Sequence, residues 1–279
     1  MEPGEEEFAG FALDKLEQKS PYLGITFTEL SEKDKVKFYD YEFHVRFVIT
    51  DDEGELRSMF ARLNRFLTAL NAQELRNAIY IGPFAKMAER LAEDPWWLGS
   101  GLLSRALIRR LGDIEFVSQL VIGVMHGPQG GSPKVVDSFY LQYEDYDLEE
   151  GFPDQRRTKK LFEITFDSVK RIVKRLGTRD TRWMNKADFY SLFVAVAACH
   201  REVWQKGIPA RGLGDVVDTL KHFGADVDRR LANELVEVAP DVLTYVRAIE
   251  KGVNDKKRRA DRHMVLLRLL EEAAGRRRT

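Results

Sequence analysis

Apolar residues recur every three or four positions through most of this sequence, and this spacing constrains the fold more than any other feature. Such a period places apolar side chains along one face of an α-helix. Four stripes consist of Phe84, Met87, Ala88 and Leu91; of Ile114, Val117, Val121 and Val124; of Phe162, Phe166, Val169, Val173 and Leu176; and of Phe189, Leu192, Phe193, Val196, His200 and Val203. Further helices are predicted at residues 214–237, 241–250 and 255–274. The sequence therefore predicts a mainly α fold, organised as a multi-helix bundle.

One segment near the amino terminus has a different period. Apolar and mostly polar side chains alternate over residues 41–49, which predicts a strand with one buried face. Residues 23–27 are the only other candidate, so one or two short β-strands are expected. A strand without neighbours leaves backbone amides unpaired. We expect it to pair with a second copy of the chain, giving a homodimer, or with an amino-terminal fragment that this chain lacks.

The length allows a sizeable core. With 279 residues, 44% of them hydrophobic, the chain can form one large helical domain or two smaller ones. An acidic run at residues 144–150 suggests a boundary near Gly151. Three parts are predicted: a disordered acidic stub at residues 1–9, a domain at residues 10–150, and a helical extension at residues 151–279.

Composition also indicates a compartment. No membrane-spanning or secretory segment is visible, so no membrane partner is predicted. The single cysteine, Cys199, cannot form an internal disulfide and favours a reducing, cytoplasmic environment. It is expected to be a small buried side chain in a helix, not a nucleophile.

Arginine and amide side chains cluster around a predicted helix junction at residues 60–78. Arginine offers a fixed fork of donors and asparagine offers both donors and acceptors, so the cluster suits a phosphate or a nucleobase. The candidate nucleotide- or DNA-binding residues are Arg62, Asn64, Asn71, Glu74, Arg76 and Asn77. Asn71 and Glu74 also have the spacing of a capping box, so a purely structural role for these residues stays open.

Two further polar groups are candidates. A secondary polar junction consists of Arg182, Asn185, Lys186 and Asp188, and a basic patch consists of Lys256, Lys257, Arg258, Arg259 and Arg262. Residues 251–279 carry ten basic and four acidic residues, whereas the whole chain has a net charge of −1. The patch could hold a DNA backbone through phosphate contacts, or it could form an ordinary solvated helix face.

Other motifs carry no chemistry. The glycine-rich residues 127–134 lack the Gly-Lys-Ser/Thr ending of a phosphate-binding loop and are expected to form a turn. The five histidines are dispersed, and none has metal-ligand spacing with another histidine or with Cys199. No metal site and no catalytic residue is predicted in this chain.

Several segments together resemble one family. Residues 60–84, ending in Gly82-Pro83-Phe84, resemble part of the amino-terminal domain of GmrSD-type modification-dependent (type IV) restriction endonucleases, of the S-subunit kind. The similarity continues through Arg110 with residues 113–116, through residues 126–129, and through residues 182–193. It covers about residues 10–270.

The resemblance implies a part of a defence enzyme. Members carry an upstream ParB- and sulfiredoxin-like region with an Asp-Gly-Gln-Gln-Arg signature, linked to nucleotide binding and hydrolysis, and this chain lacks that signature. An HNH nuclease motif is missing as well. We therefore expect a DNA- or nucleotide-contacting scaffold without a complete active site. GTP or another nucleoside triphosphate with Mg²⁺ would be a cofactor only of a complete enzyme.

Two alternatives stay open. In the first, the front end is encoded upstream or by a partner such as a nuclease subunit, and the assembly is a nucleotide-dependent restriction enzyme. In the second, the chain is a helical protein-interaction module whose polar clusters are purely structural.

Overall fold

The computed structural model describes residues 12–13, 20–42, 55, 59, 70–144, 152, 154–177, 181–202, 208, 212–233 and 235–273. The chain divides into two compact units, residues 1–59 and residues 60–279. The predicted stub at residues 1–9 lies outside the described residues, as does most of the strand predicted at residues 41–49.

In the first unit, a 3-10 helix, Phe27–Glu29, precedes helix α1, Glu32–Tyr39. The prediction of a strand at residues 23–27 is wrong, because a turn there is followed by one isolated bridge, from Thr26 to Ala12, and then by the 3-10 helix. Gly24 permits the turn through its φ of +79°. The Glu29 carboxylate accepts a hydrogen bond from the Thr26 backbone at 2.8 Å and thereby fixes the start of the 3-10 helix.

The described part of the second unit is helical and contains no strand. Its α-helices are α2 Ala72–Ile79, α3 Pro83–Ala92, α4 Trp96–Gly99, α5 Arg105–Ile108, α6 Gly112–His126, α7 Pro133–Gln142, α8 Gln155–Leu176, α9 Lys186–Glu202, α10 Gly212–Ala232, α11 Pro240–Glu250 and α12 Lys256–Ala273, with a 3-10 helix at Arg182–Met184. The mainly α prediction is therefore confirmed for these residues. None of the described helices combines the length and the apolar character needed to cross a bilayer.

Helix α10 ends earlier than its apolar pattern predicts. The last helical residue is Ala232, five residues before the predicted end at residue 237. The Asn233 side chain accepts a hydrogen bond from the Leu235 backbone at 3.0 Å. Asparagine often competes for backbone groups in this way, and the turn it forms replaces the last predicted helical turn.

Helices α6 and α9 lie at the centre of the second unit because they are apolar on almost every side. Every residue from 188 to 200 in α9 is buried, including Cys199, as predicted. α9 packs against α6, α8 and α12, and α6 packs against α3 and α8. Gly151 therefore falls between helices that share one core, and the segments on both sides of it contribute to that core.

An aromatic cluster occupies part of this core. The Trp97 ring in α4 stacks on the Phe166 ring in α8, with centroids 4.4 Å apart and planes 12° apart. Phe116 of α6 and Phe189 of α9 lie within 6.3 Å of the Trp97 ring. These contacts fix α8 against the helices that precede residue 150.

Candidate functional site

The first polar junction starts helix α2. Asn71 accepts hydrogen bonds from the backbones of Gln73 and Glu74 at 2.8 and 2.9 Å, and Glu74 accepts one from the Asn71 backbone at 2.8 Å. The predicted capping box is confirmed. Asn77 of the same helix is half-buried, whereas Arg62 and Asn64 lie outside the described residues.

Arg76 points into the protein interior and is 2% exposed. Its Nε donates to Asp137 at 2.6 Å, its Nη1 donates to Gln73 at 3.0 Å, and its Nη2 donates to the Pro133 carbonyl at 3.2 Å. Glu115 lies 3.5 Å from the same guanidinium. Because its donors already have acceptors in α2, α6 and α7, this geometry favours a structural role for Arg76 over a ligand contact.

Glu74 has a second partner besides the cap. Arg110 donates two hydrogen bonds to its carboxylate, at 2.6 and 2.8 Å, and the Arg110 carbonyl accepts one from Asn71 at 2.8 Å. The guanidinium is the main reason that the pKa of Glu74 is lowered. The junction thus joins α2 to the segment before α6.

The second polar junction brings together only two of its four predicted residues. Arg182 and Asp188 are buried and form an ion pair at 3.1 Å, whereas Asn185 and Lys186 are exposed. Arg182 also donates to Asp228 of α10, and Tyr245 of α11 donates to Asp188 at 2.7 Å. Burial raises the pKa of the Tyr245 hydroxyl well above its usual value, so it remains a donor. This network connects α9, α10 and α11.

The basic patch divides into buried and accessible residues. Lys256 and Lys257 are exposed and Arg258 is half-buried, whereas Arg259 and Arg262 lie in the interior. Because they are buried, these two arginines neither belong to a solvated face nor contact a DNA phosphate. Both expectations are therefore wrong for Arg259 and Arg262. A cation can be buried there because backbone and side-chain acceptors surround it.

The two buried arginines donate hydrogen bonds to several neighbouring segments. Arg262 donates to the Ser191 hydroxyl at 2.8 Å, to the Ala248 carbonyl at 2.6 Å and to the Val253 carbonyl at 2.8 Å. Arg259 donates to the Gln129 carbonyl at 3.1 Å and lies 4.0 Å from the centre of the Tyr190 ring. Burial lowers the pKa of both guanidinium groups, yet arginine stays charged in proteins.

Residues 127–132 of the glycine-rich segment form an irregular loop with a packing function, whereas residues 133 and 134, also expected to lie in a turn, begin helix α7. A side chain at Gly131 would place its Cβ 2.4 Å from the Arg259 guanidinium. The Gly131 backbone donates to the Asn254 carbonyl at 2.9 Å. Glycine at this position therefore lets residues 127–131 close over Arg259.

One strongly basic surface among the described residues is not marked by any sequence motif. Helix α8 carries eight basic residues against two acidic ones. Seven of the eight cations are exposed: Arg156, Arg157, Lys159, Lys160, Arg171, Lys174 and Arg175. The signal was visible in the sequence as a charge excess on the polar face of a predicted helix. The carboxyl-terminal segment has an equal charge excess in the sequence, yet part of that excess is buried in the structure.

Two clefts flank the first turns of α8. One, of about 280 Å³, lies between α3 and α8 and includes Lys86, Arg90 and Lys159, with Met87 and Leu91 among its apolar lining. The other, of about 240 Å³, includes Arg157, Arg201 and His126 together with Asp154. Desolvation, and to a smaller extent Arg201, lowers the pKa of His126. The first cleft has no carboxylate in its described lining.

Comparisons with family models, with curated proteins and with solved structures give no match to this chain. Among the described residues, no group of three or more His, Cys, Asp or Glu side chains has a metal-binding arrangement.

Proposed function

We propose that this chain is a helical scaffold of a GmrSD-like defence protein, which contacts nucleic acid or nucleotide without completing an active site by itself. The observation that carries the scaffold role is the internal use of its arginine groups. Arg76, Arg182 and Arg262 each join segments that are far apart in the sequence, so these polar clusters hold the fold together.

The defence assignment and the contact with nucleic acid rest on the family resemblance and on the exposed cations of α8. A cytoplasmic location follows from the same assignment. If a partner or an upstream segment supplies the Asp-Gly-Gln-Gln-Arg region, a nucleoside triphosphate with Mg²⁺ would bind to the assembly. In the alternative, the chain is a helical protein-interaction module. Its arginine groups would hold the fold together in the same way, but its partner would be a protein and not nucleic acid or nucleotide.

The scaffold role is tested with Arg76. We expect Arg76→Lys to lower the melting temperature, because a single ammonium cannot reproduce the fork of donors. At a temperature where the variant is still folded, its affinity for a labelled DNA duplex should equal that of the wild type. Unchanged melting together with lost binding would make Arg76 a ligand contact and would overturn the scaffold assignment. Exposed Arg247→Lys is the matched control.

The absence of a complete active site is tested directly. The isolated wild-type protein is incubated with GTP and Mg²⁺, and separately with plasmid DNA. Phosphate release and plasmid cleavage should stay at the level of a buffer control. Turnover of GTP or scission of the plasmid would contradict the proposal.

A further inference from the structure

Helix α8 presents its cations in two groups. Arg156, Arg157, Lys159 and Lys160 lie in the first two turns, and the other four lie near the carboxyl end. Two acidic residues, Glu163 and Asp167, separate the groups. The two groups differ in how their charges interact with the dipole of the helix.

Helix stability accounts for the carboxyl-terminal group. Cations near the last turn interact favourably with the negative end of the helix dipole, as Lys174 and Arg175 do. Lys170 of the same group also pairs with Asp94, at 3.5 Å, and with Asp167, at 3.2 Å. These contacts are typical of a stabilised helix end.

The cations of the amino-terminal group interact unfavourably with the helix dipole. Its four cations lie at the positive end of α8, the first turn contains no acidic residue, and Asp154 makes no side-chain cap. Within the described residues, the only ion pair in this group joins Lys159 to Glu163 at 3.8 Å, between half-exposed side chains. Such a pair contributes little. Local stability therefore does not explain why four cations gather at this end.

Helix α3 adds cations beside the same turns. Lys86 and Arg90 are exposed on α3 and face Lys159 across the cleft of about 280 Å³. Met87 and Leu91 give the cleft an apolar lining. Cationic side chains from two helices thus converge with the positive end of a helix dipole, and each of these features attracts phosphate oxygens.

We propose that the first two turns of α8, with Lys86 and Arg90 of α3, bind the phosphate backbone of nucleic acid. This inference deepens the proposed function, because it locates the contact surface of the scaffold. Six side chains from two helices supply the charge: Lys86, Arg90, Arg156, Arg157, Lys159 and Lys160. Recognition through phosphate contacts is independent of base sequence and is weakened by salt.

The test measures binding of the full chain to a fluorescein-labelled duplex by anisotropy over a salt series. Each phosphate contact steepens the log–log dependence of affinity on salt by about 0.9, so roughly three to five contacts should give a slope near −3 to −5. The triple variant Arg156→Gln, Lys159→Gln, Lys160→Gln should reduce the slope by about 2 to 3 and lower the affinity at least tenfold at low salt. Arg90→Gln alone should reduce the slope by about 1.

The control removes equal charge elsewhere. Lys221→Gln, Arg247→Gln, Lys251→Gln changes one arginine and two lysines that are exposed on or beside α10 and α11, and should leave the slope unchanged. If both triple variants lost affinity and salt slope equally, the effect would depend only on the net charge of the protein, and the proposal would be overturned. The α8 triple variant should also melt no lower than the wild type, because it removes cations from the positive end of the dipole.

Additional binding and competition measurements identify the class of ligand. A labelled single strand distinguishes duplex from single-strand binding, and either result supports phosphate-backbone recognition. Inorganic triphosphate should compete only weakly; complete displacement at equal phosphate concentration would assign the site to a free nucleotide and overturn the backbone proposal. Binding of polyglutamate but not of DNA would assign it to an acidic protein segment and overturn it as well. If the α8 triple variant bound DNA as tightly as the wild type, the binding surface proposed here would be refuted. The scaffold role would not be affected by that result.

Discussion

Single guanidinium groups connect distant segments of this protein. Arg262 on α12 reaches Ser191 of α9, the end of α11 and the loop that follows α11. Arg76 on α2 likewise reaches the start of α7. Arginine suits this role because it carries five donors in a rigid plane and needs no second charge to be satisfied.

Replacing Arg262 should be strongly destabilising. Arg262→Ala leaves the Ser191 hydroxyl and two backbone carbonyls without their donor in a site that is 0% exposed. We expect the free energy of unfolding to fall by about 3 kcal/mol, measured by urea denaturation. Exposed Lys256→Ala on the same helix should change it by less than about 0.5 kcal/mol. A similar, small effect for both variants would contradict the assigned role.

His263 should make stability depend on pH. Burial lowers the pKa of His263 from 6.5 to about 4, with a smaller contribution from Arg201. The unfolded chain therefore binds more protons than the folded chain between these values, so stability falls as the pH falls through this window. From about pH 7 to 5 the loss should be on the order of 2 kcal/mol. His263→Asn should remove this part of the pH dependence; an identical pH profile for both proteins would refute the assignment.

At the scale of elements, the close approach of α6 and α9 depends on a glycine. An added Cβ at Gly123 would lie 2.5 Å from a methyl group of Val194. Both residues are buried, so the branched Val194 side chain has little room to move. The helices can approach this closely only because position 123 has no side chain.

A matched pair of glycine variants tests this packing. Gly123→Ala should destabilise the protein by about 1–3 kcal/mol through overpacking. Gly214→Ala in α10 meets no atom within 4 Å and should stabilise it by about 0.5–1 kcal/mol, because alanine is the better helix former. Thermal and denaturant unfolding would give both values. Stabilisation by both substitutions would contradict this prediction, because it would show that a methyl group fits between α6 and α9 at position 123.

Helices could be predicted from sequence far better than the environment of their polar residues. The period of Phe162, Phe166, Val169 and Val173 is a local property, and all four residues are buried as predicted. The burial of Arg76 depends on Asp137, 61 residues away, and that of Arg262 on Ser191, 71 residues away. Charged residues are seldom fully buried, so a sequence pattern alone favours the surface for both.

At the scale of the whole molecule, one core spans the predicted boundary near Gly151. α6 belongs to the part before it, α8 and α9 to the part after it, and these three helices pack on one another. A shared core makes separate unfolding of residues 70–144 and 154–273 costly, because each would expose the apolar face that covers the other.

Hydrogen exchange can test this coupling. Arg262→Lys lies in α12, and its destabilisation should raise exchange in α6 and α9 by the same free energy under conditions that favour global unfolding. Mass spectrometry of peptides from both helices would compare them. Faster exchange in α9 with α6 unchanged would show instead that residues 70–144 form an independent folding unit.

The stacked rings of Trp97 and Phe166 give the protein an intrinsic optical reporter. Trp97 is 1% exposed and lies in α4, whereas Phe166 belongs to the helix whose first turns we assign to nucleic acid. Any tilt or sliding of α8 upon ligand capture would change the asymmetric surroundings of the indole. Near-ultraviolet circular dichroism could therefore follow the event without an added dye.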